Sequence, residues 1–366
     1  MAANIAFPTS VVVTYWFVSI SMLYLNKVLM TNGNLFIPAP IFITWYQSLA
    51  TTGICWVVGL IGRRAKDEEA ARYQSLAQAD DANLGGGGER NASFFAQFPL
   101  AQYRLSMGKK ILPLSLVHVC MITFNNLCLK HVHVSFYNVA RSLTIVFSAL
   151  FSYVFLGVSS SRNTIICLML VIIGFIIGAR GEVDLNTFGT ISGIISSMFV
   201  ALNSIYIKEV LPMVDDNHWR LTFYNNVNAS IILLPFALYF ELETIQLHGA
   251  RLFSGLFWFG MSLATVFGFS IGIVTVMQIK ATSPLAHNIS GTAKAFFQSV
   301  LAFWIWGNQA TGMYVFGLLA VLGGSLLYTI VKMYESNALK IQLPAPSSAS
   351  NMEEGKSLTE TEMPRR

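Results

Sequence analysis

The stretch from 283 to 306, SPLAHNISGTAKAFFQSVLAFWIW, decides what kind of molecule this is. It is mostly apolar and about as long as a helix that crosses a bilayer, yet Lys294 stands near its middle. Placing a lysine at that depth costs about 2.5–3.5 kcal/mol or more. A nearby Asp or Glu would neutralise it. The chain holds 18 acidic residues, and every one falls in a connecting stretch, a tail or the last turn of a candidate span. A cation kept deep in a helical bundle without a fixed carboxylate takes its counter-ion from outside. The simplest reading is a transporter with anionic cargo.

Working outward, the whole chain has the same character. Of its 366 residues 54% are hydrophobic and 11% charged, with a mean hydropathy of +0.58. Soluble domains carry about 25% charged residues. Ten runs are apolar and long enough to span: about 10–30, 39–61, 111–128, 135–157, 163–180, 188–209, 220–240, 253–278, 283–306 and 311–333. The expected fold class is therefore an all-α polytopic membrane protein with ten transmembrane helices. No charged leader with a cleavage site precedes the first run, so it is read as retained. The net charge of +5 does not form a nucleic-acid patch, because it is spread over loops. Arg63, Arg64, Lys66, Arg72, Arg90, Arg104, Lys109 and Lys110 gather after the second span. Lys130, Arg180 and Arg251 are the main exceptions on the other side. By the positive-inside rule both termini are cytosolic.

Residues 63–110, with the run Gly85-Gly86-Gly87-Gly88, read as a flexible cytosolic linker. The tail at 336–366, rich in Ser, Pro and Glu, reads as disordered. Between them lies a repeat. A shift of 150 positions pairs Asn138 with Asn288, Lys130 with Lys280, Ser142 with Thr292, Phe147 with Phe297, Gly157 with Gly307 and Gly174 with Gly324. Earlier, a shift of 178 pairs Thr44-Trp45-Tyr46-Gln47 with Thr222-Phe223-Tyr224-Asn225. Residues 1–182 and 183–335 are thus expected to form two five-helix repeats. Five spans per repeat force opposite orientations, and inverted repeats place a substrate site near the midplane between them.

Few motifs carry chemistry. Phe223-Tyr224-Asn225-Asn226 sets two amides beside two aromatic rings, which suits the edge and face of a heterocycle; bonding between helices is the plainer alternative. Ser290, Gly291 and Thr292 precede Lys294 by one turn, and small residues admit a ligand close to the backbone; close helix packing would explain them equally. Arg141 lies about two turns into the fourth span, where a guanidinium suits phosphate or helix carbonyls. Asn26 and Lys27 stand near the lumenal end of the first span, where Lys27 could serve only as an anchor. His118 and His287 lack an acid partner, so a proton relay has little support. Cys55, Cys120, Cys128 and Cys167 fall in spans without metal or redox spacing. The sequons at Asn91, Asn228 and Asn288 are cytosolic or within spans, so no glycan is expected. No P-loop, no H-E-x-x-H motif, no Cys pair and no carboxylate pair within a plausible pocket is present, which argues against an enzyme.

These residues together make the chain resemble the nucleotide-sugar transporters of the drug/metabolite transporter superfamily. The resemblance rests on Phe223-Tyr224-Asn225-Asn226, the Lys294 segment, Asn26-Lys27 and Thr123-Phe124-Asn125-Asn126-Leu127. It extends through Ser135-Phe136-Tyr137-Asn138-Val139, the run from Trp219 to Ala229 and the run from Thr282 to Ala295, and covers about residues 13–333. It implies ten helices in two inverted repeats, and a cytosolic GDP-sugar entering the Golgi lumen in exchange for GMP. In the GDP-mannose transporters of this family a Phe-Tyr-Asn-Asn motif holds guanine, a role that carries to Asn225 and Asn226. A second motif there, Gly-Ala-Leu-Asn-Lys, lies at the diphosphate and sugar. Its place is taken here by Ser290-Gly291-Thr292-Ala293-Lys294. The lysine matches, the glycine is shifted by one, and Ala293 replaces Asn. That departure points away from mannose and is consistent with fucose, whose methyl group would pack on an apolar wall. The expected cargo is GDP-fucose and the expected counter-substrate GMP, with no cofactor, no nucleic-acid partner and the lipid bilayer as environment; a homodimer is left open. Another nucleotide sugar, a phosphorylated sugar, or a non-transporting scaffold on the same fold stand as alternatives.

Overall fold

A backbone that crosses lipid must satisfy its own N–H and C=O groups, which the helix does within one segment. The computed structural model, described here for residues 2–80, 98, 102–157, 159–183, 185–282, 284–307 and 311–342, is helical throughout, with no strand among those residues. In chain order the helices are α1 (Ala2–Thr31), α2 (Pro40–Asp80), α3 (Leu105–His131), α4 (Val134–Leu156), α5 (Arg162–Gly181) and α6 (Thr187–Val210). They continue with α7 (His218–Phe240), the short α8 (Leu242–Leu247), α9 (Gly255–Ala281), α10 (Pro284–Trp306) and α11 (Gly312–Gln342). Among the described residues, nine helices are long and apolar enough to cross a membrane. The chain is a polytopic membrane protein. Helix α10 is not one of the nine. It is long enough, at 23 residues, but His287, Asn288, Ser290, Thr292, Lys294, Gln298 and Ser299 dilute its hydropathy.

Three expected boundaries are corrected. Helix α2 continues to Asp80, so residues 63–80 are helix and not flexible chain. The run Arg63 to Asp80 is rich in Arg, Lys, Glu, Gln and Ala, all strong helix formers, and Arg63 meets Asp67 one turn on at 3.9 Å. Residues 105–110 likewise belong to α3. Helix α11 runs to Gln342, past the expected start of the tail. The glycine run at 85–88 and residues 343–366 lie outside the described residues.

Helix ends are marked by local chemistry. Asn186 accepts from Gly189 N–H at 2.8 Å to open α6, and Asn217 accepts from Trp219 and Arg220 at 3.0 and 3.1 Å to open α7. Gly157 and Gly307 follow α4 and α10 with φ of 63° and 60°, the left-handed stop that glycine takes without a Cβ penalty. Glu241, just past α7, accepts from Ile41 and Phe42 N–H at 3.0 and 2.8 Å. It therefore caps α2, and this use explains why a buried acid sits at a helix end and not within a span. Burial pushes its carboxyl up, while the two backbone donors and Lys130 pull the other way.

Packing follows the small residues. Helices α5 and α11 meet backbone to backbone: a Cβ on Gly174 would lie 2.8 Å from Val321 N, and one on Gly324 would lie 3.2 Å from Val171 N. A shift of 150 carries Gly174 onto Gly324 and Val171 onto Val321, so the two contacts are counterparts. A Cβ on Gly317 would overlap the Gly178 backbone. Such close approach is how helices associate in lipid, where burial of apolar surface gives no drive. Other packed pairs include α3 with α6, α2 with α7, α1 with α9, α4 with α6, α3 with α7, α2 with α9, α4 with α5, α4 with α10, and α10 with α11.

Candidate functional site

Lys294 faces α1. Its Nζ donates to Ser19 Oγ, lies 3.4 Å from Tyr15 Oη, and sits 4.9 Å from the centre of the Tyr15 ring. Tyr15 and Ser19 are one helical turn apart, so both present to the same point. One turn earlier on α10, Ser290 Oγ accepts from Trp16 Nε1–H at 2.8 Å and from Gln278 Nε2–H at 3.1 Å. His287 stacks edge-on against Tyr15 at 5.1 Å, and its Nδ1 is 3.0 Å from Gln278 Oε1. The lysine is thus solvated by hydroxyls and an aromatic face. None of the ion pairs among the described residues includes it.

Arg141 approaches the same region from α4. Its side chain is exposed. Its charge reaches both Tyr15 and Lys294. Arg141 Nη1 donates to Asn125 Oδ1 and Tyr137 Oη, each at 3.1 Å, and Tyr137 Oη–H donates to Asn125 at 2.8 Å. Asn125, Tyr137, Arg141, Ser196 and Ser197 line one crevice between α3, α4 and α6. Helix α4 is tied to α10 below it, since Asn138 Nδ2 donates to Ser299 Oγ at 3.0 Å. Lys294 and Arg141 are thus near enough for their charges to interact, and none of the ion pairs among the described residues includes either. Such an arrangement attracts a polyanion.

The Phe223-Tyr224-Asn225-Asn226 run lies in the first turns of α7, against α3. Tyr224 Oη–H donates to Gln102 C=O at 3.0 Å and accepts from Arg104 N–H at 3.2 Å, so it fastens the chain entering α3. Asn225 is buried and Asn226 half-buried. Phe223 and Tyr224 form part of a cavity of about 280 Å³, whose other walls include Trp219, Phe269, Arg104 and Arg220. Ser115 on α3 touches Asn225. From Ser115 to Asn125 along α3 is about 15 Å at 1.5 Å per residue, so α3 links the amide pair to the cationic pair.

The remaining candidates separate from this group. Lys27 Nζ donates to the carbonyls of Leu129, Lys130 and Val132 at 2.6, 3.3 and 2.7 Å. It caps the C-terminus of α3, where a cation complements the helix dipole. Asn26 Oδ1 accepts from Gln47 Nε2–H at 2.8 Å and joins α1 to α2. Gly291 has open space where a Cβ would stand, unlike the glycines of α5 and α11; Thr292 beside it is half-buried. The residues that sequence reasoning missed are Tyr15, Trp16, Ser19, Ser115 and Gln278. The four-residue spacing of Tyr15 and Ser19 in an otherwise apolar span was a usable signal. Nothing local in the sequence distinguishes Ser115.

Residues 8–329 match the Triose-phosphate Transporter family, and the chain belongs to that family. It is 42% identical over 328 residues to "GDP-fucose transporter 1" of Mus musculus, covering 89% of this chain and 83% of that one. It is 40% identical over 330 residues to "GDP-fucose transporter 1" of Nematostella vectensis, covering 89% of each. It is 35% identical over 329 residues to "GDP-fucose transporter, Golgi" of Drosophila melanogaster, covering 89% and 90%.

Proposed function

We propose that this member of the Triose-phosphate Transporter family carries GDP-fucose from the cytosol into the Golgi lumen and returns GMP. The observation that carries the reading is Lys294, held among the hydroxyls of Tyr15 and Ser19 with no ion pair among the described residues and within reach of the Arg141 charge. Tyr15 and Ser19 solvate Lys294; a diphosphate would bring it opposite charge. Asn225 and Asn226 read the guanine, and Phe223 and Tyr224 shape the wall beside it. Gly291 leaves room for the phosphate or sugar.

Exchange follows from the same electrostatics. Moving two uncompensated cations through the closed intermediate is costly, because charge in a low-dielectric site is penalised. A bound GMP or GDP-sugar lowers that cost by pairing the charge. The arrangement is proposed as ten spans in two inverted five-helix repeats, with both termini cytosolic. Two features support the repeats: the counterpart contacts of α5 with α11, and glycine stops at Gly157 and Gly307, both related by a shift of 150. The names of the mouse, sea anemone and fly relatives support the cargo and the compartment. The reading assigns the protein transport alone, without catalysis.

Purified protein in liposomes loaded with labelled GMP tests this. External GDP-fucose is expected to drive efflux, with UDP-sugars and CMP-sialic acid far weaker. Equal efflux with all of them would refute the guanine assignment, and none with GDP-fucose would refute the cargo.

A further inference from the structure

The two amides proposed to read the base are not free to present either end. Asn228, one turn beyond Asn225 on α7, has its orientation set by partners of fixed polarity. Its Nδ2 donates to the backbone carbonyl of Gly108 at 3.2 Å, a group that only accepts, while its Oδ1 accepts from Tyr103 Oη–H at 2.8 Å. The same Nδ2 donates to Ser115 Oγ at 2.9 Å. Ser115 Oγ therefore accepts from Asn228 and has its own O–H to donate. Its nearer acceptor is Asn225 Oδ1 at 2.8 Å, against 3.2 Å for Ile111 C=O. The polarity runs from a backbone carbonyl through Asn228 and Ser115 to Asn225, and all three side chains are buried.

The result is an Asn225 whose oxygen is occupied and whose Nδ2 makes no hydrogen bond to a described residue, yet is not wholly enclosed. Asn226 is set the opposite way. Its Nδ2 donates to Thr222 C=O at 2.9 Å, which leaves Oδ1 to accept. The pair offers one donor and one acceptor. Guanine presents the complement on its hydrogen-bonding edge, O6 as acceptor beside N1–H and N2–H₂ as donors. Adenine presents the reverse, an N6 donor beside the N1 acceptor, and cytosine likewise sets an amino donor beside N3.

We infer that Ser115 and Asn228, which need not touch the ligand, are positioning residues that lock the amide of Asn225 as a donor and so make the site reject adenine and cytosine. The inference rests on the proposed role of Asn225 and Asn226 in reading the base. Without Ser115 the Asn225 amide is no longer held as a donor, and guanine O6 loses its fixed partner.

The test is competition by GMP, IMP, AMP and CMP in GMP counterflow, with the full chain in liposomes. The unmodified protein is expected to favour GMP over AMP and CMP, with IMP intermediate because it keeps O6 and N1–H but lacks the N2 amine. Ser115→Ala is expected to narrow the GMP-to-AMP ratio about tenfold, the scale of one buried hydrogen bond. It does so by weakening GMP and IMP, which present O6 to that donor, more than AMP and CMP; a merely structural defect would weaken all four nucleotides alike. Ser115→Thr, which keeps the hydroxyl, restores the ratio. Tyr103→Phe, which removes only the outer bond to Asn228, shifts the ratio in the same direction by less and serves where Ser115→Ala does not reconstitute. A ratio unchanged in Ser115→Ala and Tyr103→Phe, with the unmodified protein still selective, overturns the relay. Lack of selectivity in the unmodified protein overturns the base reading beneath it.

Discussion

Replacing Lys294 with Met removes the charge and keeps the length of the side chain. The stability terms nearly cancel. An intramembrane lysine costs about 2.5–3.5 kcal/mol. Against this, the charge-assisted hydrogen bond to Ser19 contributes about 1.5–3 kcal/mol and the Tyr15 face about 0.5–2 kcal/mol, through the contacts Lys294 makes in α1. The folded protein should therefore change by no more than about 2 kcal/mol, a shift of a few degrees in Tm. Binding has no such cancellation. Loss of one partner of a desolvated charge pair costs about 2–5 kcal/mol, or roughly 30-fold to several thousand-fold in affinity. Lys294→Met should thus give near-normal Tm in detergent and virtually no counterflow of GMP. Lys294→Arg should also be impaired, because a planar fork cannot occupy the point held by the ammonium. Counterflow within threefold of the unmodified rate in Lys294→Met would remove the lysine from the mechanism. A large fall in Tm would show that it is held for folding.

Lys27 supplies the contrast. Its three carbonyl acceptors at the end of α3 make Lys27→Met destabilising by about 2–4 kcal/mol, since buried acceptors are left unpaired. The expected result is a lower Tm with transport per folded molecule retained. The glycines divide in the same way. Gly317→Ala drives a Cβ into the α5 backbone and should abolish expression of folded protein. Gly291→Ala meets nothing and should leave Tm unchanged while raising the apparent KM for GDP-fucose several-fold.

Much of this was legible in the sequence for identifiable reasons. Lys294 stands out because an intramembrane cation is rare and its neutralising acid is missing. The 150-residue shift is legible because Gly157, Gly174, Gly307 and Gly324 each meet a backbone requirement that no other residue satisfies as cheaply. The extent of α2 was not legible from hydropathy, because its last turns leave the apolar zone and rest on helix propensity alone. The division of the two lysines was half legible: Lys27 stands near a span end and Lys294 in mid-span, but only the fold brings the end of α3 to the first and Tyr15 with Ser19 to the second. Ser115 was invisible for the same reason, since its partners Asn225 and Asn228 come from α7 and only the fold brings them to it.

The central claim is obligatory exchange driven by a guanine nucleotide whose charge pairs Lys294 and Arg141. The most direct measurement is the initial rate of labelled GDP-fucose uptake into liposomes loaded with GMP, compared with empty liposomes, with and without an imposed pH gradient. The account predicts rapid uptake only with GMP inside and little response to the gradient, because no carboxylate among the described residues pairs with either cation to carry a proton through the cycle. Rapid uptake into empty liposomes driven by the pH gradient would contradict it and return attention to His118 and His287.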